Sequence, residues 1–186
     1  MHARWLALLL MATPFWETKA PRQWSDEELE TLMTDSPWAQ SEIVHVFLAT
    51  AQPMREGEAE RRRRYRDPAR APDPLEEEYL EFLRENGASH IVLAVRLPRA
   101  RALDDAAESK RMEEESYLRV GKTRHKMTGH FPPTSSDPYL RLAFPRVVRP
   151  TDKNFRFELY LPSVPGAWHE VEFPVKSLSY RGKLEM

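Results

Sequence analysis

The chain has 186 residues, of which 41% are hydrophobic, so it can bury one substantial core. Its 28 basic and 29 acidic residues leave a net charge of −1, which excludes a global pull toward nucleic acid or an anionic membrane. There is no cysteine, so disulfides, thiolate nucleophiles, cysteine-ligated metal centres and an acylated-cysteine lipid anchor are all excluded. Sixteen prolines against six glycines predict many rigid turns and short elements.

The N-terminus reads as an address. His2 and Arg4 precede an uncharged run from Trp5 to Trp16. That run falls short of the ~20 apolar residues a membrane span needs and fits the core of a secretory signal. Thr18 and Ala20 have the small-residue spacing of a cleavage site, although Pro21 directly after Ala20 suits cleavage poorly. The expectation is a signal peptide over 1–20 and one α+β domain over 21–186, with the mature chain periplasmic or secreted and without a transmembrane span.

Ser25-Asp-Glu-Glu28 is a capping box that opens a helix carrying Leu29, Leu32 and Met33, which Pro37 ends. Glu42–Thr50 is rich in β-branched and apolar residues and predicts a buried strand. Pro53 suits a first helical turn, and Met54–Tyr65 continues with good helix formers. Residues 66–74 hold three prolines and read as a linker. Asp73-Pro74 then starts a helix with Leu75, Tyr79, Phe82 and Leu83 on one stripe, and Gly87 stands where a left-handed cap is expected.

His90–Leu97 predicts a central strand, because apolar residues occupy both of its faces. Leu103–Glu114 is polar and helix-favouring with little apolar face, which predicts a surface helix or an ordered loop. From Ser116 onward the period becomes two. Tyr117–Val120 and Lys122–Met127 read as strands broken near Gly121, and Phe131–Pro138 as a loop. Tyr139–Phe144, Asn154–Leu161 and the inward Val171, Phe173 and Val175 read as further strands, with Ser179–Met186 as an edge. The predicted fold class is α+β, with N-terminal helices and strands packed on a C-terminal antiparallel β-sheet of about four or five strands.

No catalytic pattern is complete. Gly121-Lys122-Thr123 has the end of a phosphate loop, but Ser116 stands where its first glycine belongs, so a hairpin turn is expected. His169-Glu170 begins a zinc motif that Phe173 fails to finish. His125 and His130 lack a third ligand by spacing, and His45 and His90 lie in apolar strands. No nucleophile elbow is present. The carboxylate runs Glu76–Glu78 and Glu113–Glu115 read as solvated faces. The most basic stretch, Glu60–Arg66, belongs to a segment with seven arginines between Arg55 and Arg70, offset by nearby acids. On a helix these arginines spread over much of the circumference, so they form no single reading face.

Trp24-Ser25, Ser36-Pro37-Trp38-Ala39, Thr50-Ala51-Gln52-Pro53-Met54-Arg55 and the strand His90–Leu97 together resemble a group of uncharacterised exported proteins of acidobacterial-type soil bacteria. The resemblance covers mainly residues 21–100. It implies export, a fixed corner at Ala51–Arg55, and no catalytic residue.

The expected function is a non-catalytic extracytoplasmic binding or structural role, its partner a protein or an anionic surface rather than nucleic acid. One alternative is a carboxylate/histidine hydrolase, with or without metal assistance, which requires His45, His90, His125 and His130 to meet. The other is an anion-binding surface centred on Arg61–Arg66; Arg55, at the start of its helix, reads as a helix-surface salt bridge ahead of an anion contact. No residue is assigned to catalysis, a cofactor or a metal.

Overall fold

The computed structural model describes residues 13–186, except positions 43, 68, 70, 72, 98–102, 104, 135, 136 and 163. Most of the signal-like run therefore lies outside the described residues. Its end does not. A short helix α1 (Phe15–Thr18) is followed by a 3₁₀ turn at Pro21–Gln23. Phe15 and Trp16 pack edge-to-face on one another, on Trp24 (5.8 Å from Phe15) and on Trp38 (5.9 Å from Trp16). The Arg181 backbone N–H donates to both Glu17 carboxylate oxygens at 3.0 Å, so this segment is tied to the C-terminal end of the chain.

The capping box forms as predicted. The Glu28 N–H donates to Ser25 Oγ, and the Ser25 N–H donates to the Glu28 carboxylate, opening α2 (Asp26–Thr34). Leu29, Leu32 and Met33 face the core. The strand predicted over Glu42–Thr50 is much shorter. It is preceded by β1 (Ala39–Gln40) and reduces to β2 (Val46–Leu48), because Thr50 and Ala51 already turn into α3 (Gln52–Tyr65). Gly57 lets α3 lie against α2, since a Cβ at this position would come within 2.9 Å of Leu32 Cδ2.

Asp73 caps α4 (Pro74–Asn86) by accepting from the Leu75 N–H at 3.1 Å. Tyr79 and Leu83 of the predicted stripe are buried, while Leu75 is exposed. Gly87 is not a left-handed cap. Its φ of −59° and ψ of −23° are right-handed. Glycine is demanded there by proximity instead, because a Cβ would sit 2.5 Å from the Leu83 carbonyl oxygen.

The α+β class is borne out. Strand β3 (His90–Arg96) is the middle strand of a five-stranded antiparallel sheet, and Ile91 to Val95 are fully buried. After α5 (Ala106–Glu115), β4 (Tyr117–Val120) and β5 (Thr123–Lys126) form a hairpin whose turn places Gly121 at φ 58°. Only glycine enters that region without steric cost. The short β6 (Gly129–Phe131) follows, at the edge of the region read as a loop.

Strand β7 (Tyr139–Pro145) corrects the expected partition of strands. It pairs with β3 along its whole length and with β6, giving the order β1-β2-β3-β7-β6. The second sheet has the order β5-β4-β8-β9, where β8 is Asn154–Tyr160 and β9 is Trp168–Pro174. The predicted C-terminal edge strand is a separate hairpin of β10 (Ser179–Tyr180) and β11 (Lys183–Leu184). The two large sheets share a core where Phe144 meets Phe157 with ring centroids 5.2 Å apart. Alternation explains β9, whose buried His169, Val171 and Phe173 face inward and whose Trp168, Glu170 and Glu172 face out. Among the described residues no helix is long and apolar enough to cross a membrane.

Candidate functional site

A cleft of about 390 Å³ opens between the second half of α3, the start of α4 and the start of β7. Its position follows from helical spacing. Glu58, Arg61, Arg62 and Tyr65 recur at i, i+3, i+4 and i+7, so they share the face of α3 that lines the cleft. Glu60, Arg63 and Arg64 share a different face. The arginine run is thus divided between two tasks, in keeping with its predicted spread around the helix.

The Glu60 face is structural. Glu60 is buried, and its carboxylate accepts from Arg63 at 2.9 and 2.7 Å and from Arg64 at 2.7 Å. The hydrogen bond from Arg63, reinforced by Arg64 and only partly opposed by burial, holds the Glu60 carboxyl down at about 2. Arg64 also donates to Asp26 and to the Trp24 carbonyl, which ties α3 to the start of α2.

The cleft floor is a second buried charge cluster. Arg141, at 3% exposure, comes from β7. Its Nη2 donates to Glu58 at 2.7 Å and to Asp137 at 2.5 Å, and its Nε donates to Asp137 at 3.2 Å. The guanidinium lies over the Tyr79 ring, 4.1 Å from its centroid. Burial alone would lower the Arg141 pKa, but Glu58, with Tyr79 and Asp137, more than reverses this and holds it well above the ordinary arginine value. Burial pushes the Tyr79 phenol well above its usual range. Arg141 Nη1 and the Tyr79 hydroxyl are both buried and meet within this cluster.

Among the described residues, four arginines and five carboxylates line the cleft. The carboxylates are mostly engaged. Glu58 and Asp137 hold Arg141, Asp73 caps α4, and Asp67 accepts from the Ala69 N–H at 2.9 Å. Glu76 sits 3.9 Å from Arg62, at the limit of an ion pair. Arg61 and Arg66 have no carboxylate partner among the described residues. Arg61 stands instead beside Tyr139, whose phenol is raised by burial and drawn back in part by that positive charge.

The histidines do not meet. The His45 Nε2–H donates to the Met33 carbonyl at 2.7 Å near the Arg96 end of β3, whereas His90 begins β3 and contacts Ser89 at 2.9 Å. His125 lies in β5 of one sheet and His130 in β6 of the other, where its ring is 3.0 Å from Glu113. His169 is buried in β9, and burial lowers its pKa. Among the described residues no three His, Cys, Asp or Glu side chains gather as a metal ion would require.

Gly121-Lys122-Thr123 is a hairpin turn, as expected. His169-Glu170 lies on a strand, where a helical zinc motif cannot form. Glu113, Glu114 and Glu115 face His130, Lys110 and Arg111 respectively. Arg55 is exposed on α3, away from the cleft. Sequence reasoning reached Arg61–Arg66 but missed Arg141, Asp137 and Tyr139. Arg141 is the only charge within an otherwise apolar strand segment, and that was the available signal. Comparison with known proteins adds nothing to the assignment, since no protein family, no curated protein and no solved structure matches the chain.

Proposed function

We propose that this chain is a non-catalytic binding protein acting outside the cytoplasm, with the α3–α4–β7 cleft as the seat of its ligand. The observation that carries this reading is the cleft itself. Its volume of about 390 Å³ lies within the usual range for small-molecule sites, roughly 300–1,000 Å³. Its floor is a pre-built ion cluster held on a strand and two helices, so the site need not be ordered when a ligand arrives. Export is supported by the uncharged run Trp5–Trp16 and by the resemblance of residues 21–100; because Phe15 and Trp16 pack on Trp24 and Trp38, the segment before Pro21 stays with the fold in this reading.

A thermal-shift screen of small polar solutes tests the site. Ala71 is exposed on the cleft wall, so Ala71→Trp fills the opening without touching the core. Solutes that raise the Tm of the native chain should lose this effect in the variant. If every hit stabilises both proteins equally, the ligand seat lies elsewhere. Fractionation of cells that make the full chain tests the location, and recovery entirely in the cytoplasm would contradict export.

A further inference from the structure

Resting on that reading, the geometry points to a small oxyanion as the ligand: a molecule with one carboxylate or phosphate group, gripped by the Arg61 and Arg66 guanidiniums. The inference follows from which charges in the cleft are already committed. Of its four arginines, Arg141 is held by Glu58 and Asp137, and Arg62 shares Glu76 at 3.9 Å. Arg61 and Arg66 are left with no carboxylate partner among the described residues, although five acids line the same cleft. A guanidinium fork matches the paired oxygens of a carboxylate or phosphate, and such charge-assisted bonds are about twice as strong as neutral ones.

The opposite choice, a cationic ligand, would share carboxylates that mostly have work already: Glu58 and Asp137 hold the buried Arg141, Asp73 caps α4 and Asp67 accepts from the Ala69 N–H, which leaves Glu76, 3.9 Å from Arg62, as the least engaged. An oxyanion disturbs none of these contacts. Size and overall charge narrow the class further. Among the described residues five acids against four arginines give the cleft lining no net positive charge, which favours a small molecule of low charge over a polyanion. The Tyr139 hydroxyl stands beside Arg61 on the cleft lining. Its O–H can donate to an oxyanion held by that arginine.

The test is calorimetric titration of the full chain at low ionic strength with inorganic phosphate and with acetate, using choline and glucose as cationic and neutral controls. Phosphate, acetate or both should bind, and the controls should not. The stronger of the two should lose at least ~10-fold in affinity in the Arg61→Gln/Arg66→Gln double variant. The lysine double variant keeps the charge without the fork and should fall between the two. Arg84→Gln, an exposed ion-paired site outside the cleft, should bind like the native chain. A preference for phosphate over acetate, or the reverse, identifies which oxyanion the site takes. Retained affinity in the glutamine double variant overturns the inference, as does the absence of binding by either anion. Choline or glucose binding that Ala71→Trp abolishes would overturn the oxyanion while leaving the cleft as the ligand seat. Anion binding that ignores both Ala71→Trp and the glutamine double variant would overturn both readings.

Discussion

Arg141 Nη2 lies 2.7 Å from Glu58 Oε1, joining a β-strand to a helix across 83 positions of the chain. Both side chains are nearly excluded from water, at 4% and 7% exposure, and Asp137 completes the cluster. Removing one member of such a group leaves its partners charged and desolvated.

Arg141→Met should therefore destabilise the protein by about 3–5 kcal/mol. Urea denaturation measures this. In a Glu58→Gln background the same substitution should cost less, with a coupling of about 0.5–3 kcal/mol. Equal costs in both backgrounds would mean the pair is not coupled.

Glu60 governs acid stability. Its carboxyl is held down at about 2 in the folded protein, against an ordinary value of 4.5. A depressed folded value stabilises the protein above the unfolded value, and that stability disappears as pH falls. The Glu60 contribution is thus complete above about pH 4.5 and is lost on descending toward pH 2. Glu60→Gln should lower stability at neutral pH and flatten the pH dependence across that window, as followed by denaturation at a series of pH values.

Gly57 sets two effects against each other. Alanine gains roughly 1 kcal/mol of helix propensity at an interior position. Against this, the new Cβ meets Leu32 Cδ2 at 2.9 Å, and Leu32 is fully buried and cannot swing into solvent. Overpacking of a filled core costs about 1–3 kcal/mol. Packing should win, so Gly57→Ala is expected to lower stability by up to ~2 kcal/mol, whereas a gain would show that α2 and α3 separate easily.

The aromatic contacts of Phe15 and Trp16 predict that residues just before Pro21 contribute to folding stability. Trp16 is half-buried, so Trp16→Ala should cost about 2 kcal/mol. In a chain of this length that is roughly 4–8 °C in Tm. A chain beginning at Pro21 should lose at least as much. An unchanged Tm in both would show that the segment adds nothing to the fold.

Local patterns proved readable wherever a single element carried its own signal. The Ser25–Glu28 capping box, Asp73-Pro74 at the start of α4, the two-sided apolar run of β3 and the glycine turn after Val120 are each short-range effects. Strand partnership was not readable. Tyr139–Pro145 alternates much as Asn154–Tyr160 does, yet the two strands enter different sheets. Their own residues do not encode that choice. It depends on β3 offering an open edge with apolar cover on both faces.

The same division applies to the cleft. Composition and spacing alone place a dense run of arginines on one helix and show that its charges must spread around the axis. Which of them remain available depends on partners from distant segments. Glu60 takes Arg63 and Arg64 while Asp26 helps to hold Arg64, Glu76 approaches Arg62, and β7 brings Arg141 and Asp137 under the same face. Charge is a property of the residue, whereas neutralisation is a property of distance, and only the packing of α3 against α2, α4 and β7 sets those distances.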